Sequence, residues 1–334
     1  MLHGIDIKED ELLAMDGNIL DTLLIDRTTG ENIIWATNDY ASMGDAYTFF
    51  NHINPELITG ENKNVIQSRV TKNEKERKMR ARKMAEVFTP SWVCNDMNNS
   101  VDAKWFKRKI VFNKSSNKRG SHSWVPTEEK ITFPEGKNWQ EYVSMGVIEI
   151  TCGEAPFLAS RYDTVTGEPI QDLRMRIGWI DRKLRIVNEN TTTREDWLHW
   201  VKMAFKGTLG YEWQGDNLLL ARENLLMSFF DYYEDRFNEE PTTDDVKEIA
   251  MIISWNIFQM DGLKFVIPCS CHQKVLETRD LISGEAIRQE IECEGCKKGL
   301  IHKHNGIYVK TMDWETGKAI RFDQINGFAK KEKL

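Results

Sequence analysis

Four of the six cysteines lie close together near the C-terminal end of the sequence. Zinc takes four sulfur or nitrogen ligands in a tetrahedron, and a Cys-x-x-Cys arm is a common way to supply two of them. A Cys-x-Cys pair and, after a long gap, a Cys-x-x-Cys pair give the two-arm layout of a zinc ribbon. The sequence therefore predicts a structural zinc site with these ligands: Cys269, Cys271, Cys293 and Cys296.

The first arm of this layout is one residue shorter than usual. His272, His302 or His304 could therefore replace Cys271 as a ligand. Buried cysteines without a metal are the alternative, because free cysteine is among the most buried residue types. A closed four-ligand site would be structural and would hold residues 264–314 together in place of a large core.

Composition limits the function classes. The chain has 334 residues and a net charge of −7, so nucleic acid contacts must be local. Two basic stretches, residues 72–83 and 104–109, could supply them, or they could be solvated helix faces. No apolar run approaches the roughly 20 residues of a membrane helix, and the acidic N-terminus is unlike a signal peptide. We expect a cytoplasmic protein without a membrane partner, whose clustered cysteines bind metal.

Helix and strand patterns indicate which elements position the polar residues. Residues 145–151 are apolar and β-branched, and a glycine turn follows, which predicts a strand, a loop and a helix. Thr193 is a plausible N-cap for a helix with an apolar stripe from Trp197 to Phe205. A strand at 209–213, a helix from Asp216 and a third helix before residue 256 continue the alternation. This predicts an α/β domain on a mostly parallel sheet.

The remaining segments are assigned by composition. Residues 1 to about 80 are predicted to form short helices and turns, since glycine-containing breakers interrupt them. Residues 113–138 are polar and rich in turn formers, which predicts an exposed loop.

Three positions fit a nucleotide site at the ends of the strands. The loop at 149–158 carries a glycine directly after a strand, where backbone N–H groups can approach a ligand. Glu212 ends the next strand, where an acid can accept hydrogen bonds from ribose hydroxyls. Asp261 ends the third, where it could accept a hydrogen bond from an adenine amino group.

Four segments, in this order, resemble the adenine-N6 DNA methyltransferases of restriction-modification systems. They are Glu-Val-Phe-Thr-Pro at 86–90, the loop at 149–158, the Tyr-Glu-Trp segment at 210–225 and the segment 256–263. The resemblance implies a Rossmann-like fold that binds S-adenosylmethionine. The residues it implies as cofactor-binding are Thr89, Pro90, Glu149, Thr151, Cys152, Gly153, Ala155, Phe157, Glu212 and Asp261.

The sequence departs from the family in the glycine loop. Glu149 and Ile150 replace Asp-Pro, and Ala155 replaces the second glycine, which puts a methyl group where backbone should approach the ligand. Glu154 could offset this by facing the positive charge of the cofactor. The alternative is that Glu154 is a solvated turn residue.

The larger departure concerns catalysis. The family uses an Asn/Asp/Ser-Pro-Pro-aromatic loop that binds the flipped base, and no two of the eight prolines are adjacent here. Pro268-Cys269 is similar to the nucleophile of cytosine-C5 methyltransferases, but three further cysteines at metal spacing explain Cys269 better. The catalytic residues stay unknown. The loop must come from a partner chain, or the activity is absent.

We therefore expect an α/β protein with a Rossmann-like S-adenosylmethionine-dependent methyltransferase fold. Residues 1–85 would form a helical N-terminal extension, 86–263 the cofactor-binding domain and 264–334 a zinc-ribbon-like C-terminal element. The expected function is that of a restriction-modification DNA methyltransferase subunit taking part in adenine-N6 methylation. Its expected partners are DNA and a chain that carries the catalytic loop, specificity or nuclease function. The alternatives are a non-catalytic DNA- or protein-binding module and a methyltransferase with another acceptor.

Overall fold

The structure is a computed structural model that describes residues 9–72, 89–118, 120–272, 274–279 and 286–325. Within these residues, helices and strands form a mixed α/β fold around a three-stranded parallel sheet. This confirms the mixed α/β class and the parallel sheet that the sequence predicts. No helix in these ranges is long and apolar enough to cross a membrane.

The N-terminal part consists of short helices and turns, as predicted. It contains α1 (Glu9–Ala14) and α2 (Ile19–Leu24), followed by single 3-10 turns at Ala41–Met43, Asp45–Tyr47, Pro55–Leu57 and Gly60–Asn62. Leu20 and Trp35 are fully buried in the same core as the helices around the parallel sheet. This segment and the region that follows it therefore share one hydrophobic core.

A helix and a hairpin precede the sheet. Helix α3 (Ser91–Phe106) is followed by β1 (Asn113–Lys118) and β2 (Ser121–Pro126), which pair antiparallel. The prediction of an exposed loop over residues 113–138 is thus wrong for the first half of this range. The hairpin lacks the apolar alternation that marks a half-buried strand, and hydrogen bonds to α3 support it instead. Asn95 Nδ2 donates to Asn113 Oδ1 (3.0 Å) and to Ser115 Oγ (3.1 Å).

The parallel sheet has the strand order β3-β4-β5. Two helices connect each pair of neighbouring strands. The elements are α4 (Trp139–Ser144), β3 (Val147–Glu149), α5 (Trp179–Asn190), α6 (Arg194–Lys206), β4 (Thr208–Glu212), α7 (Gly215–Phe237), α8 (Thr243–Asn256) and β5 (Ile257–Gln259).

Local signals explain where several of these elements begin. The N–H of Asp196 donates to Thr193 Oγ1 (3.2 Å), so Thr193 is the N-cap of α6 as predicted. Helix α7 begins at Gly215, one residue before the predicted start. A Cβ at Gly215 would lie 2.2 Å from the carbonyl oxygen of Ile34, so only glycine allows the N-terminal segment to pack there.

Both faces of the sheet are covered. Successive residues of a strand point to opposite faces. Ile257 belongs to the large core formed with the helices, whereas its neighbour Phe258 belongs to a second cluster with Phe265, Val309 and Phe322. The segment after residue 264 therefore packs on the face that the helices leave open.

The C-terminal part is made of two hairpins and short helices. It contains β6 (Lys274–Arg279), β7 (Ala286–Ile291), α9 (Glu294–Lys298), a 3-10 turn at Ile301–Lys303, β8 (Lys310–Asp313), β9 (Lys318–Arg321) and a 3-10 turn at Phe322–Gln324. Both pairs are antiparallel. Residue-pair bridges from Val266 to Asp261 and Tyr308 link this part to the end of β5.

Candidate functional site

The ends of the three parallel strands bring the predicted nucleotide-site acids to one edge of the sheet. Glu149 pairs in register with Gly210, and Glu212 pairs with Gln259. Asp261 follows β5 by two residues, and the N–H of Met260 donates to the carbonyl oxygen of Glu212 (2.9 Å). Because the strands are parallel, their carboxyl ends and the loops that follow them share this edge.

The loop after β3 has an unusual backbone. Thr151 (φ 47°), Gly153 (φ 54°) and Ala155 (φ 61°) all have left-handed conformations, although two of them carry a Cβ. Such residues persist where their surroundings fix them, and they concentrate at ligand sites. Here the N–H of Cys152 donates to Tyr211 O (2.9 Å) and that of Ala155 to Cys152 O (2.7 Å). The loop is a tight, well-supported turn.

The side chains of this loop divide between core and surface. Cys152 and Ala155 are buried in the main core, so the methyl group of Ala155 does not lie on the open side of the loop. Thr151 is exposed, and Phe157 is half-buried. Burial raises the pKa of the Cys152 thiol well above its ordinary value. We conclude that Cys152 and Ala155 anchor the loop through their side chains.

Glu212 fastens the glycine loop to the end of β4. Its Oε2 accepts the N–H of Gly153 (2.8 Å), and its Oε1 accepts the N–H groups of Trp213 (2.9 Å) and Gln214 (3.2 Å). Burial raises the pKa of Glu212 above its ordinary value, although these hydrogen bonds oppose the shift. The carboxylate thus orients the loop, and each of its oxygens can accept more than one hydrogen bond.

Glu149 is buried at the end of β3. Its Oε1 accepts the N–H of Phe157 at 3.4 Å, whereas its Oε2 is buried and lacks a hydrogen-bond partner among the residues that the structure describes. Burial raises the pKa of Glu149 well above its ordinary value, although backbone N–H groups of Phe157 and Leu158 oppose this. Glu149 is therefore a buried acid with spare hydrogen-bonding capacity.

Asp261 lies in the turn after β5. Its Oδ1 accepts the N–H of Leu263 (3.0 Å), and its Oδ2 lies 3.5 Å from Lys264 Nζ. The side chain is 5% exposed. The structure thus brings Asp261 to the same edge as Glu149 and Glu212, where it shapes its own turn.

Helix α3 joins Thr89 and Pro90 to the loop region. Pro90 is the residue before α3, and Thr89 O accepts the hydroxyl of Thr164 (3.1 Å). Asn98 of α3 donates to Phe157 O (3.2 Å), so this helix contacts the end of the glycine loop. Residues 86–88 of the resembling segment and 73–83 of the first basic stretch lie outside the described residues.

Glu154 has a role that the sequence did not reveal. It is 1% exposed, so the alternative of a solvated turn residue is wrong. Its Oε1 accepts the N–H of Arg69 (2.6 Å) and its Oε2 accepts the hydroxyl of Tyr162 (2.6 Å). Glu154 thus ties the N-terminal segment to the glycine loop.

The second candidate site is a cysteine and histidine group in the C-terminal part. One ligand atom from each of Cys271, Cys293, Cys296 and His304 lies within 4.8 Å of all the others. His304 Nδ1 is 3.5 Å from Cys271 Sγ and 3.6 Å from the Sγ atoms of Cys293 and Cys296. Tetrahedral zinc with ordinary bond lengths would place sulfur and nitrogen ligands about 3.5 Å apart. This group could hold a metal ion such as zinc.

Two glycines allow these ligands to approach one another. A Cβ at Gly295 would lie 2.6 Å from His304 Nδ1, and one at Gly306 would lie 3.0 Å from Cys271 Sγ. The N–H of Asn305 also donates to Cys293 Sγ (3.3 Å). Burial raises the pKa of the Cys293 thiol, but hydrogen bonds from the backbone N–H groups of Cys296 and Asn305 and from the side chain of His304 outweigh it and lower this pKa to about 6. The backbone around the group thus favours a thiolate.

The ligand set differs from the prediction at one position. Cys269 is exposed and lies outside the group, and His304 completes it. Cys269 sits in a turn with φ 55°, in which the N–H of Ser270 donates to Ile267 O (3.0 Å). The other two histidines that were possible ligands lie outside the group: His302 Nδ1 pairs with Asp323 Oδ2 (2.8 Å), and His272 is exposed. The spacing of cysteines and histidines in the sequence does not predict the choice of His304, because this choice depends on the close packing of Gly295 against His304.

Comparisons with protein-family models, with curated proteins and with solved structures found no match for this chain. The functional assignment therefore depends on the geometry of the two candidate sites.

Proposed function

We propose that this chain binds S-adenosylmethionine at the carboxyl ends of β3, β4 and β5, within a Rossmann-like arrangement. We further propose that it is a subunit of a DNA adenine-N6 methyltransferase of a restriction-modification system. The observation that carries the proposal is the parallel register of the three strands. It brings the glycine loop, Glu212 and Asp261 to one edge in the order in which a nucleoside cofactor would require them.

The donors and acceptors at this edge suit the cofactor. Glu212 would accept hydrogen bonds from ribose hydroxyls, and Asp261 would accept one from the adenine amino group. The buried Oε2 of Glu149, which lacks a hydrogen-bond partner within the described ranges, supplies a further acceptor beside the loop. The hydrogen bond from the N–H of Gly153 to Glu212 keeps the backbone of the loop close to this edge.

The cofactor, when bound, supplies an electrophilic methyl group. The residues of this chain would bind and orient it, and alignment of methyl donor and acceptor amine provides much of the rate of such a transfer. The sequence contains no adjacent prolines, so it lacks the Pro-Pro loop that holds the target base in the family it resembles. We propose that a partner chain supplies that loop.

The missing loop favours a second candidate function. Without a partner, the same fold would serve as a non-catalytic module that binds DNA or protein. Methylation of DNA by this chain mixed with a chain that carries an Asn-Pro-Pro-Tyr segment would separate the two functions. Methyl transfer only in the mixture supports the split enzyme, and no transfer in any mixture supports the module.

Isothermal titration with S-adenosylmethionine tests the cofactor site. We expect saturable binding to the wild-type protein. Asp261→Asn and Glu212→Gln should each weaken it about tenfold or more, because each alters a hydrogen bond to a charged acceptor. Glu240→Gln, on an exposed residue outside this edge, is the control and should bind like the wild type. Wild-type protein that gives no binding signal would refute the proposal.

For the C-terminal part we propose a zinc-ribbon-like element with one structural zinc ion. Four protein ligands close the site, as in structural rather than catalytic zinc sites. Elemental analysis of the purified protein should give about one zinc per chain. A metal content near zero in protein purified without chelators would contradict this.

A further inference from the structure

The stretch from residue 103 to residue 127 is strongly basic. It contains seven lysine and arginine residues and no aspartate or glutamate, although the whole chain has a net charge of −7. It covers the end of α3 and the β1–β2 hairpin. Positive charge is therefore concentrated on one part of an acidic protein.

The hairpin presents lysines on its outer face. Residues that are direct partners across an antiparallel pair point to the same face. Lys114 pairs with Val125 and Lys118 pairs with Ser121, and all four side chains are exposed. Lys104, Lys107 and Lys109 are exposed at the end of α3 and just beyond it.

The opposite face of the hairpin encloses a cavity against α3. On this face Asn117 pairs with His122, and Ser115 pairs with Trp124. The cavity has a volume of about 200 Å³. Trp92 and His122 line it, and their rings stack on each other with centroids 3.6 Å apart and an interplanar angle of 9°. The polar residues Asn95, Asp96 and Asn117 complete most of the lining.

Helix α3 connects this cavity to the candidate cofactor site. Asn95 binds the hairpin through Asn113 and Ser115. Asn98, less than one turn further along, donates to Phe157 O at the end of the glycine loop. A ligand held by the hairpin would therefore lie next to the edge where the methyl donor is proposed to bind.

We infer that the β1–β2 hairpin and the end of α3 form a surface for single-stranded DNA. The lysines contact the phosphates, and one unpaired base enters the cavity beside the stacked pair of Trp92 and His122. The inference deepens the proposed function by locating its DNA partner, and it rests on that function only in the choice of DNA over other single strands. A basic track beside aromatic rings is the combination by which proteins hold single strands.

The cavity distinguishes this ligand from other polyanions. A phospholipid surface or an acidic peptide would use the lysines alone, whereas an unpaired base also contacts aromatic rings and amide groups. The cavity is smaller than the 300 Å³ or more of typical ligand sites, so it suits one flat ring rather than a whole nucleotide. The carboxylate of Asp96 can accept a hydrogen bond from an amino group of a base, and it repels phosphate.

Fluorescence anisotropy with a labelled 20-nucleotide DNA strand, without S-adenosylmethionine, tests the surface. Binding should weaken as salt rises, because phosphate contacts release counterions. The double variant Lys114→Glu/Lys118→Glu should weaken binding at least tenfold. It should also lower the salt slope by roughly 1.4, the value for two lost phosphate contacts on a single strand. Failure of cofactor binding would not affect this result.

The β8–β9 hairpin provides a matched control. Lys310 and Lys318 are exposed on another antiparallel hairpin of the same chain, and Lys310→Glu/Lys318→Glu makes the same change in net charge. This control should bind DNA like the wild type. Equal weakening by both double variants would overturn the inference, since it would leave only the effect of overall charge.

The cavity is tested separately with Trp92. Trp92→Ala should weaken single-strand binding about fivefold or more, and Trp92→Phe should restore most of it, since an aromatic ring again lines the cavity. A duplex of the same sequence should bind less tightly than the strand. Equal binding of strand and duplex, or binding to phosphatidylserine vesicles with none to DNA, would overturn the inference.

Discussion

At the end of β3, the carboxyl group of Glu149 is buried beside the glycine loop. The charged form of a carboxyl group loses hydration when it is buried, so its pKa rises. In this protein burial is the largest influence on Glu149 and the nearby charge of Glu212 adds to it. A buried acid at this edge reduces stability whenever it is ionised.

Replacing Glu149 with glutamine should therefore stabilise the protein at high pH. The folded protein retains the proton of Glu149 to a higher pH than the unfolded chain, whose value is near 4.5. Stability must then fall as the pH rises above that value. Thermal melts of Glu149→Gln should show a higher Tm than wild type at pH 8 and little difference at pH 4. The exposed Glu135→Gln is the control, and a lower Tm for Glu149→Gln at pH 8 would refute the argument.

The metal ligands can be distinguished residue by residue. Cys271 belongs to the four-residue group, whereas Cys269, two residues earlier, is exposed and outside it. Cys271→Ser and His304→Ala should lose most of the zinc, and Cys269→Ser should retain about one ion per chain. Elemental analysis with a thiol titration measures this. Loss of zinc from Cys269→Ser, with retention of zinc in His304→Ala, would instead support the four cysteines as the ligands.

Among the elements, α6 depends on its N-cap. The hydroxyl of Thr193 accepts the N–H of Asp196, and the helix buries Trp197, Val201 and Phe205 in the main core. Thr193→Ala should lower the free energy of unfolding by about 1 kcal/mol, measured by urea denaturation. Thr192→Ala, on an exposed neighbour that does not cap the helix, should change it by less than about 0.5 kcal/mol. Equal losses in both variants would exclude the capping explanation.

The β1–β2 hairpin shows why one element escaped the sequence analysis. Periodicity detects strands that bury one face, and in this hairpin both faces are mostly polar, with the apolar Trp124 and Val125 on opposite faces. Its support comes from α3, through the side chains of Asn95 and Asn99, which lie 14 or more residues away in sequence. Contacts of this kind exist only after the helix has packed.

For the whole molecule, the second hydrophobic cluster joins the parallel sheet to the C-terminal part. Tyr211 and Phe258 come from the sheet, and Val309 and Phe322 come from the segment around the metal group. If a metal ion holds that segment in place, its removal should uncover one face of β4 and β5. The buried residues of the main core, on the other face, all precede residue 258, and Trp314 of the C-terminal part packs at its margin.

Metal removal should therefore unfold one part of the protein first. After treatment with a strong chelator, hydrogen exchange followed by mass spectrometry should show lost protection in residues 260–267 and 301–313, whereas α5 to α8 stay protected. The Tm of the C-terminal transition should fall, and added zinc should restore it. Uniform loss of protection, or none, would contradict this division.

Features that depend on near neighbours along the chain could be predicted from the sequence. These are the alternation of strands and helices, the cap at Thr193 and the Cys-x-x-Cys arm of the metal group, since each is written within a few residues of the chain. The sequence also predicted that Glu212 ends a strand, whereas β5 ends at Gln259, two residues before Asp261.

The contacts between distant segments became apparent in the folded structure. It selected His304 rather than Cys269 for the metal group, because Gly295 lets the histidine approach the Cys-x-x-Cys arm. It fastened Gly153 to Glu212 and Arg69 to Glu154. These contacts join residues that are 59 and 85 positions apart, and packing rather than local pattern determines which partners a folded chain brings within hydrogen-bond distance.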